Sequence, residues 1–331
     1  MDTTTQTMLR ILATDIQALH RGMRKGTTLY AVVEAGSCSA PDALASWTMR
    51  HRLPSNSLFA GTAESRYAAE GPWLIALPET CSRALLEELA AFAALHRALL
   101  LIGSPLPLLR LTVHLQSWLN AVMQDTQGGS TELLVRYFDA CIGMAMVDLW
   151  PEAERQAFVG AFDWWGGWDE RFAPHVRPGR RDPVAAIRTT PLHITEAMLE
   201  QIDTLNRAER LLALVAEQDV DAGELDGIPP WLRGVIAHQA VAQANALGLG
   251  GWQDARLAVA LALRVNPEIL ARPVLRTPIS HAKEAGSFAN AIAGLPPDAL
   301  AKEHAEHAAA ALQRVVDRVV AEMTARTGAA A

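Results

Sequence analysis

The sequence predicts an α+β or mixed α/β amino-terminal lobe with a small sheet, followed by an all-α helical carboxy-terminal lobe. Three observations carry this. Apolar runs fenced by glycine or proline, such as Leu29–Glu34, Gly71–Pro78 and Leu99–Ile102, alternate with helical periodicities up to Phe172. Beyond a stretch holding Pro174, Pro178, Pro183 and Pro191, every strong periodicity is helical. At 331 residues the chain also exceeds one ordinary core, so two domains are expected. The division reads as residues 1–172, a Pro/Arg-rich linker over 173–191 with Arg177, Arg180 and Arg181, and a helical lobe over 192–331.

In order, residues 8–23 carry Leu9, Leu12, Ile16 and Leu19 on one helical stripe. A strand over Leu29–Glu34 follows, then a short helix over 42–51, an extended piece at Ser57–Thr62 and a strand over Gly71–Pro78. Ser82–Arg97 reads as a helix with Leu85, Leu89, Phe92 and Leu95 in register. Leu99–Ile102 is a buried strand. Ser104-Pro105 then opens a helix to about Met123, because a serine hydroxyl can accept from free first-turn amides and proline gives up none that is needed. Gln127–Ser130 breaks it, and a second strand runs from Leu133 to Phe138, ending at Asp139. Cys141–Leu149 and a helix over Pro151–Phe162 lead to Asp163-Trp164-Trp165-Gly166-Gly167-Trp168.

In the second lobe Thr195 caps a helix over Glu196–Gln218, with Ile194 stapled onto Leu199. Pro229-Pro230 starts another, closed by Gly248–Gly251. Trp252–Val265 is apolar almost all round, so it takes the centre of this lobe, and Asn266-Pro267 stops it. A last helix spans about Pro297 to Ala325, with Leu312, Val315, Val316, Val319 and Met323 as its buried stripe and a frayed tail after it.

Composition narrows the function. The formal charge is −7, and the last 150 residues hold 18 acidic against 13 basic side chains, which opposes a nucleic-acid groove. Cys38, Cys81 and Cys141 show no CxxC spacing and read as reduced cytosolic thiols. The N-terminus lacks a secretory pattern, and the apolar run from Ala98 to Leu115 is too interrupted to span a bilayer. A soluble, cytoplasmic protein is expected.

Candidate chemistry is sparse. Arg136 and Asp139, three apart on a strand, leave opposite faces and converge only if the strand ends between them; both are assigned structural roles. Glu303-His304-Ala305-Glu306-His307 has metal-ligand types but neither HExxH nor HxxEH spacing, so no metal site is assigned. No GxSxG, GxxxxGK[ST] or GxGxxG occurs, and no catalytic or cofactor-binding residue is assigned. Trp164, Trp165 and Trp168, split by two glycines, cannot all enter one core from a regular strand. They read either as a seal between the lobes or as partner-binding residues, because tryptophan is enriched at interaction hot spots.

A set of segments in order carries a resemblance: Leu29–Val33, Ser57–Gly61, Gly71–Leu74, Ile102–Ser104, His114-Leu115 and Val135–Asp139. The succession from about Thr28 to Phe172 resembles the type VI secretion effector-adaptor family, the Tap or TEC chaperones. That family's Arg-aromatic-Tyr-Asp segment stands here as Arg136-Tyr137-Phe138-Asp139, with Ala140-Cys141 in place of its Pro-Arg. The resemblance implies a non-enzymatic cytosolic adaptor that binds a toxic effector, loads it onto the VgrG spike and uses the helical lobe for effector choice. The alternative expectation is a hydrolase-like enzyme with a site in the cleft between the lobes.

Overall fold

The structure, a computed structural model, describes residues 3–38, 41–124, 129–182, 187–218, 225–282 and 284–329. The chain divides into two compact units, Met1–Leu205 and Asn206–Ala331.

The first unit begins with α1 (Thr3–Arg21), β1 (Thr28–Glu34), α2 (Pro41–Arg50), β2 (Ser55–Ser57), β3 (Pro72–Ala76) and α3 (Arg83–Phe92). It continues through β4 (Leu99–Ser104), α4 (Leu108–Gln116), β5 (Asn120–Gln124) and β6 (Ser130–Leu134). Then come α5 (Gly143–Asp148), α6 (Glu152–Val159), β7 (Trp164–Trp168), β8 (Pro174–Pro178), β9 (Leu192–His193) and α7 (Glu196–Leu205). The six-stranded sheet runs β2-β3-β1-β4-β7-β8, with every neighbouring pair antiparallel. A smaller sheet, β6-β5-β9, pairs β5 antiparallel with β6 and parallel with β9.

Both faces of the large sheet are buried, which is why β1 and β4 read as unbroken apolar runs. Tyr30, Val32, Leu74, Leu100, Ile102 and Trp165 face one core together with Leu111 and Leu115 of α4 and Phe158 of α6. Leu29, Ala31, Val33 and Leu101 are buried on the opposite face. On that side Trp168 Nε1 donates to Asp15 Oδ2 of α1 at 3.2 Å, and α1 packs on α3. Ser82 caps α3 through its hydroxyl, which accepts from Leu85 N at 3.2 Å.

Phe158 is the hub of the first core. Its ring lies within 6.2 Å, centroid to centroid, of His114, Trp118, Tyr137, Trp150, Phe162 and Trp165. Tyr30 and Tyr137 keep their hydroxyls satisfied inside, donating to Leu106 O at 2.7 Å and Leu115 O at 2.8 Å.

Several expectations change here. The helix expected from Ser104 to Met123 is shorter: α4 starts after Pro107, and the Ser104 hydroxyl donates to Ala161 O while accepting from Leu106 N. Trp118 N and Leu119 N bond back three residues, so the chain turns and Asn120–Gln124 becomes a strand. The second strand lies at Ser130–Leu134, not Leu133–Phe138, and residues 127 and 128 of the expected break lie outside the described residues. The stretch 173–191 is woven into the first unit, with Pro174–Pro178 pairing with β7, and Leu192 and Ile194, expected in the helical lobe, enter the core of the first unit. Residues 183–186 of that stretch lie outside the described residues. The expected helix Glu196–Gln218 divides at Asn206, where the two units meet in sequence.

The second unit is helical: α8 (Arg207–Glu217), α9 (Pro230–Ala246), α10 (Trp252–Arg264), α11 (Pro273–His281), α12 (Phe288–Ala293) and α13 (Ala299–Ala329). Pro230 stands at the first turn of α9, and Gly248, at φ +78°, reverses the chain after it. α10 is central, packing on α8, α9 and α12, with Ala255, Ala258, Val259 and Ala262 sealed. Ala311, Val315, Val319 and Met323 form the buried stripe of α13, four residues apart.

Candidate functional site

Arg136 and Asp139 do meet, because the strand ends at Leu134 and the chain turns, with Asp139 N–H donating to Arg136 O at 3.0 Å. Arg136 Nη2 lies 3.1 Å from Asp139 Oδ2 and 2.8 Å from Glu34 Oε1. Asp139 Oδ1 accepts from Cys141 N at 2.8 Å, which pins the turn. Glu34 Oε2 accepts from the Ser37 hydroxyl at 2.9 Å. The cluster ties the end of β1 to the turn before α5.

Its electrostatics follow from burial. Desolvation pushes the Glu34 carboxyl above its ordinary value, with Arg136 pulling back and Asp139 adding to the rise. Burial works against the Arg136 charge, but Glu34 and Asp139 outweigh it and hold the guanidinium above its ordinary value. The two partners respond differently because Glu34 has lost more water than Arg136 and also faces a second carboxylate. The neighbouring Cys38 thiol is pushed up to about 12 by burial and by Glu34, far from nucleophilic at neutral pH. The arrangement is a clasp of three side chains from two distant segments, and Glu34 is the member that the sequence reading did not name.

The three indoles are divided between the two sheet faces. Trp165 joins the aromatic core, Trp168 turns to α1, and Trp164, half-buried, lies against Gly103. A regular strand does house them all, because its alternation serves two cores. Trp165 and Trp168 are spent on packing inside the first unit, which leaves neither ring a free face for a partner.

In the second unit Glu303 is buried and accepts from Asn266 Nδ2 at 3.0 Å and Arg272 Nε at 2.6 Å. His304 Nδ1 lies 3.0 Å from Val265 O. Glu303 and His304 are therefore tied to the neighbouring segment, Glu306 stays exposed, and among the described residues no group of three or more His, Cys, Asp or Glu could hold a metal ion.

The first unit carries a groove of about 520 Å³ beside the small sheet. Glu64, Val122, Glu132, Leu134 and Arg188 are among its lining residues. The Arg188 guanidinium is already engaged: it stacks over Trp118 at 4.8 Å and donates to Thr190 O and Pro191 O. The groove brings together apolar side chains and two acidic ones, a combination suited to holding a chain segment.

No curated protein and no solved structure matches this chain. The segment from β1 to α6, residues 29–157, matches the family model described as Domain of unknown function (DUF4123).

Proposed function

We propose that this chain is a non-enzymatic adaptor, or chaperone, of a bacterial type VI secretion system. It holds a toxic effector in the cytosol and passes it to the VgrG spike. The match of residues 29–157 to DUF4123, a domain associated with type VI secretion effector adaptors, is the observation that carries this reading.

Three physical features support it. The matched segment supplies most of a scaffold stiffened by interlocked aromatic rings, which presents a surface with little reorganisation on binding. The cluster of Glu34, Arg136 and Asp139 in that segment turns its charges on itself, as a brace does. No helix among the described residues is long and apolar enough to cross a membrane. The helical unit is assigned to effector choice.

Co-expression of the chain with the soluble products of the neighbouring secretion genes, followed by pull-down, tests this. Retention of a toxin and of a spike protein is the expected result. Retention of neither, with both soluble, overturns the reading.

A further inference from the structure

The edge of the small sheet carries a further step. β6 pairs with β5 on one flank, and no strand among the described residues pairs with the other. The phase of the ladder shows which of its backbone groups are unspent. Val135 N–H donates to Leu119 O at 2.7 Å, so that opposed pair is hydrogen-bonded. Bonded and non-bonded pairs alternate in an antiparallel ladder, so Leu133 with Ala121 and Thr131 with Met123 are bonded pairs as well. Ser130, Glu132 and Leu134 therefore turn their N–H and C=O groups away from β5. The far flank of β5 agrees independently: Ile194 N–H donates to Val122 O at 3.1 Å, so Val122, opposite Glu132, faces β9.

Every other sheet edge among the described residues is blunted. β2 has three residues and β9 two, and β8 begins and ends with proline. β6 has five residues and no proline, and Ser130, Thr131, Glu132 and Leu134 are all exposed, Leu134 by 41%. Glu132 and Leu134 share a face with Val122 and Asn120, the face that lines the groove. The carboxylates of Glu64 and Glu132 there have no cationic partner among the described residues.

We infer that β6 is a docking edge onto which an extended, lysine- or arginine-bearing segment of a second polypeptide adds as a further strand. Main-chain hydrogen bonds to Ser130, Glu132 and Leu134 supply affinity, and the groove beside Glu132 and Leu134 selects side chains. This rests on the adaptor reading for the existence of a protein cargo, and it names where the first unit grips that cargo.

The test uses the full chain and the polypeptide retained in the pull-down. Glu132→Pro removes an outward N–H and leaves the β5 ladder intact, and Glu132→Lys reverses the charge with the backbone untouched. Leu133→Pro, which strikes an inward N–H, serves as the folding control. Amide exchange at Ser130, Glu132 and Leu134 is expected to slow in the complex, and both Glu132 variants are expected to bind about tenfold or more weakly with unchanged melting. If Glu132→Pro itself lowers the melting temperature, Glu132→Lys decides.

Cargo bound equally well by both variants, without protection across 130–134, overturns the edge and leaves the adaptor reading standing. A wild-type dimer that becomes monomeric in Glu132→Pro also overturns it, by assigning the edge to a second copy of this chain. Failure of the wild type to retain any polypeptide removes both readings together.

Discussion

The indole of Trp164 lies directly against the α-carbon of Gly103: a Cβ built there would stand 2.4 Å from Trp164 Nε1. The two residues are opposed across β4 and β7, so the glycine that ends an apolar run is a seat for a ring. Gly103→Ala is expected to cost roughly 1–3 kcal/mol through overpacking, read by urea denaturation. Gly103→Ala combined with Trp164→Ala should recover part of that loss, because the clash disappears.

Phe158 is fully buried and touches six other rings. Phe158→Ala should destabilise the first unit by about 3–5 kcal/mol, with Phe158→Leu milder, and near-UV circular dichroism should weaken as the indoles lose their fixed surroundings.

The Glu34 clasp has a signed pH dependence. Its carboxyl is raised in the folded state, mainly by burial, so between its ordinary value of 4.5 and the raised one the folded chain binds more protons than the unfolded chain. Stability from this group is thus fully present below 4.5 and is lost as pH rises through the folded value. Glu34→Gln removes that slope: its stability relative to wild type should improve as pH rises from 4 to 7, measured by chemical denaturation across the range.

Val259 is 0% exposed at the centre of α10. Val259→Asp buries an unpaired charge and should cost at least about 3 kcal/mol, unfolding the second unit. The adaptor reading adds that cargo is released; helical circular dichroism with an unchanged melt would displace α10 from the centre of that unit.

Cys38 and Cys81 are pushed up to about 12 and about 11, chiefly by burial. At pH 8 their thiolate fractions are then on the order of one in ten thousand and one in a thousand. Alkylation mapped by mass spectrometry should leave both largely unmodified in the native chain and label them rapidly in denaturant.

How far the sequence announces this structure depends on the range of the forces involved. β1, β3 and β4 are plain in it because each is apolar throughout and fenced by glycine or proline. β5 is hidden, since Leu119 and Val122 continue the helical spacing of Leu111, Leu115 and Trp118; only the turn at Ser117–Leu119 ends the helix. The break at Asn206 is equally silent, because Leu205 and Leu212 keep one period across it. At the clasp Arg136 and Asp139 stand out locally, whereas Glu34 lies 102 residues away and joins only once β1 has paired. The tryptophans mislead for a simpler reason: a strand between two cores can bury aromatics on both sides.

The boundary between the units decides how the molecule can be taken apart. A chain severed at Phe172 would lose β8, β9 and α7, uncovering the side of the aromatic core on which Leu192, Ile194, Met198, Leu199 and Ile202 rest. Such a fragment should precipitate or bind hydrophobic dye. A cut after Leu205 removes none of this cover, so anyone isolating the first half for crystals or for cargo titrations should carry the chain through to that residue.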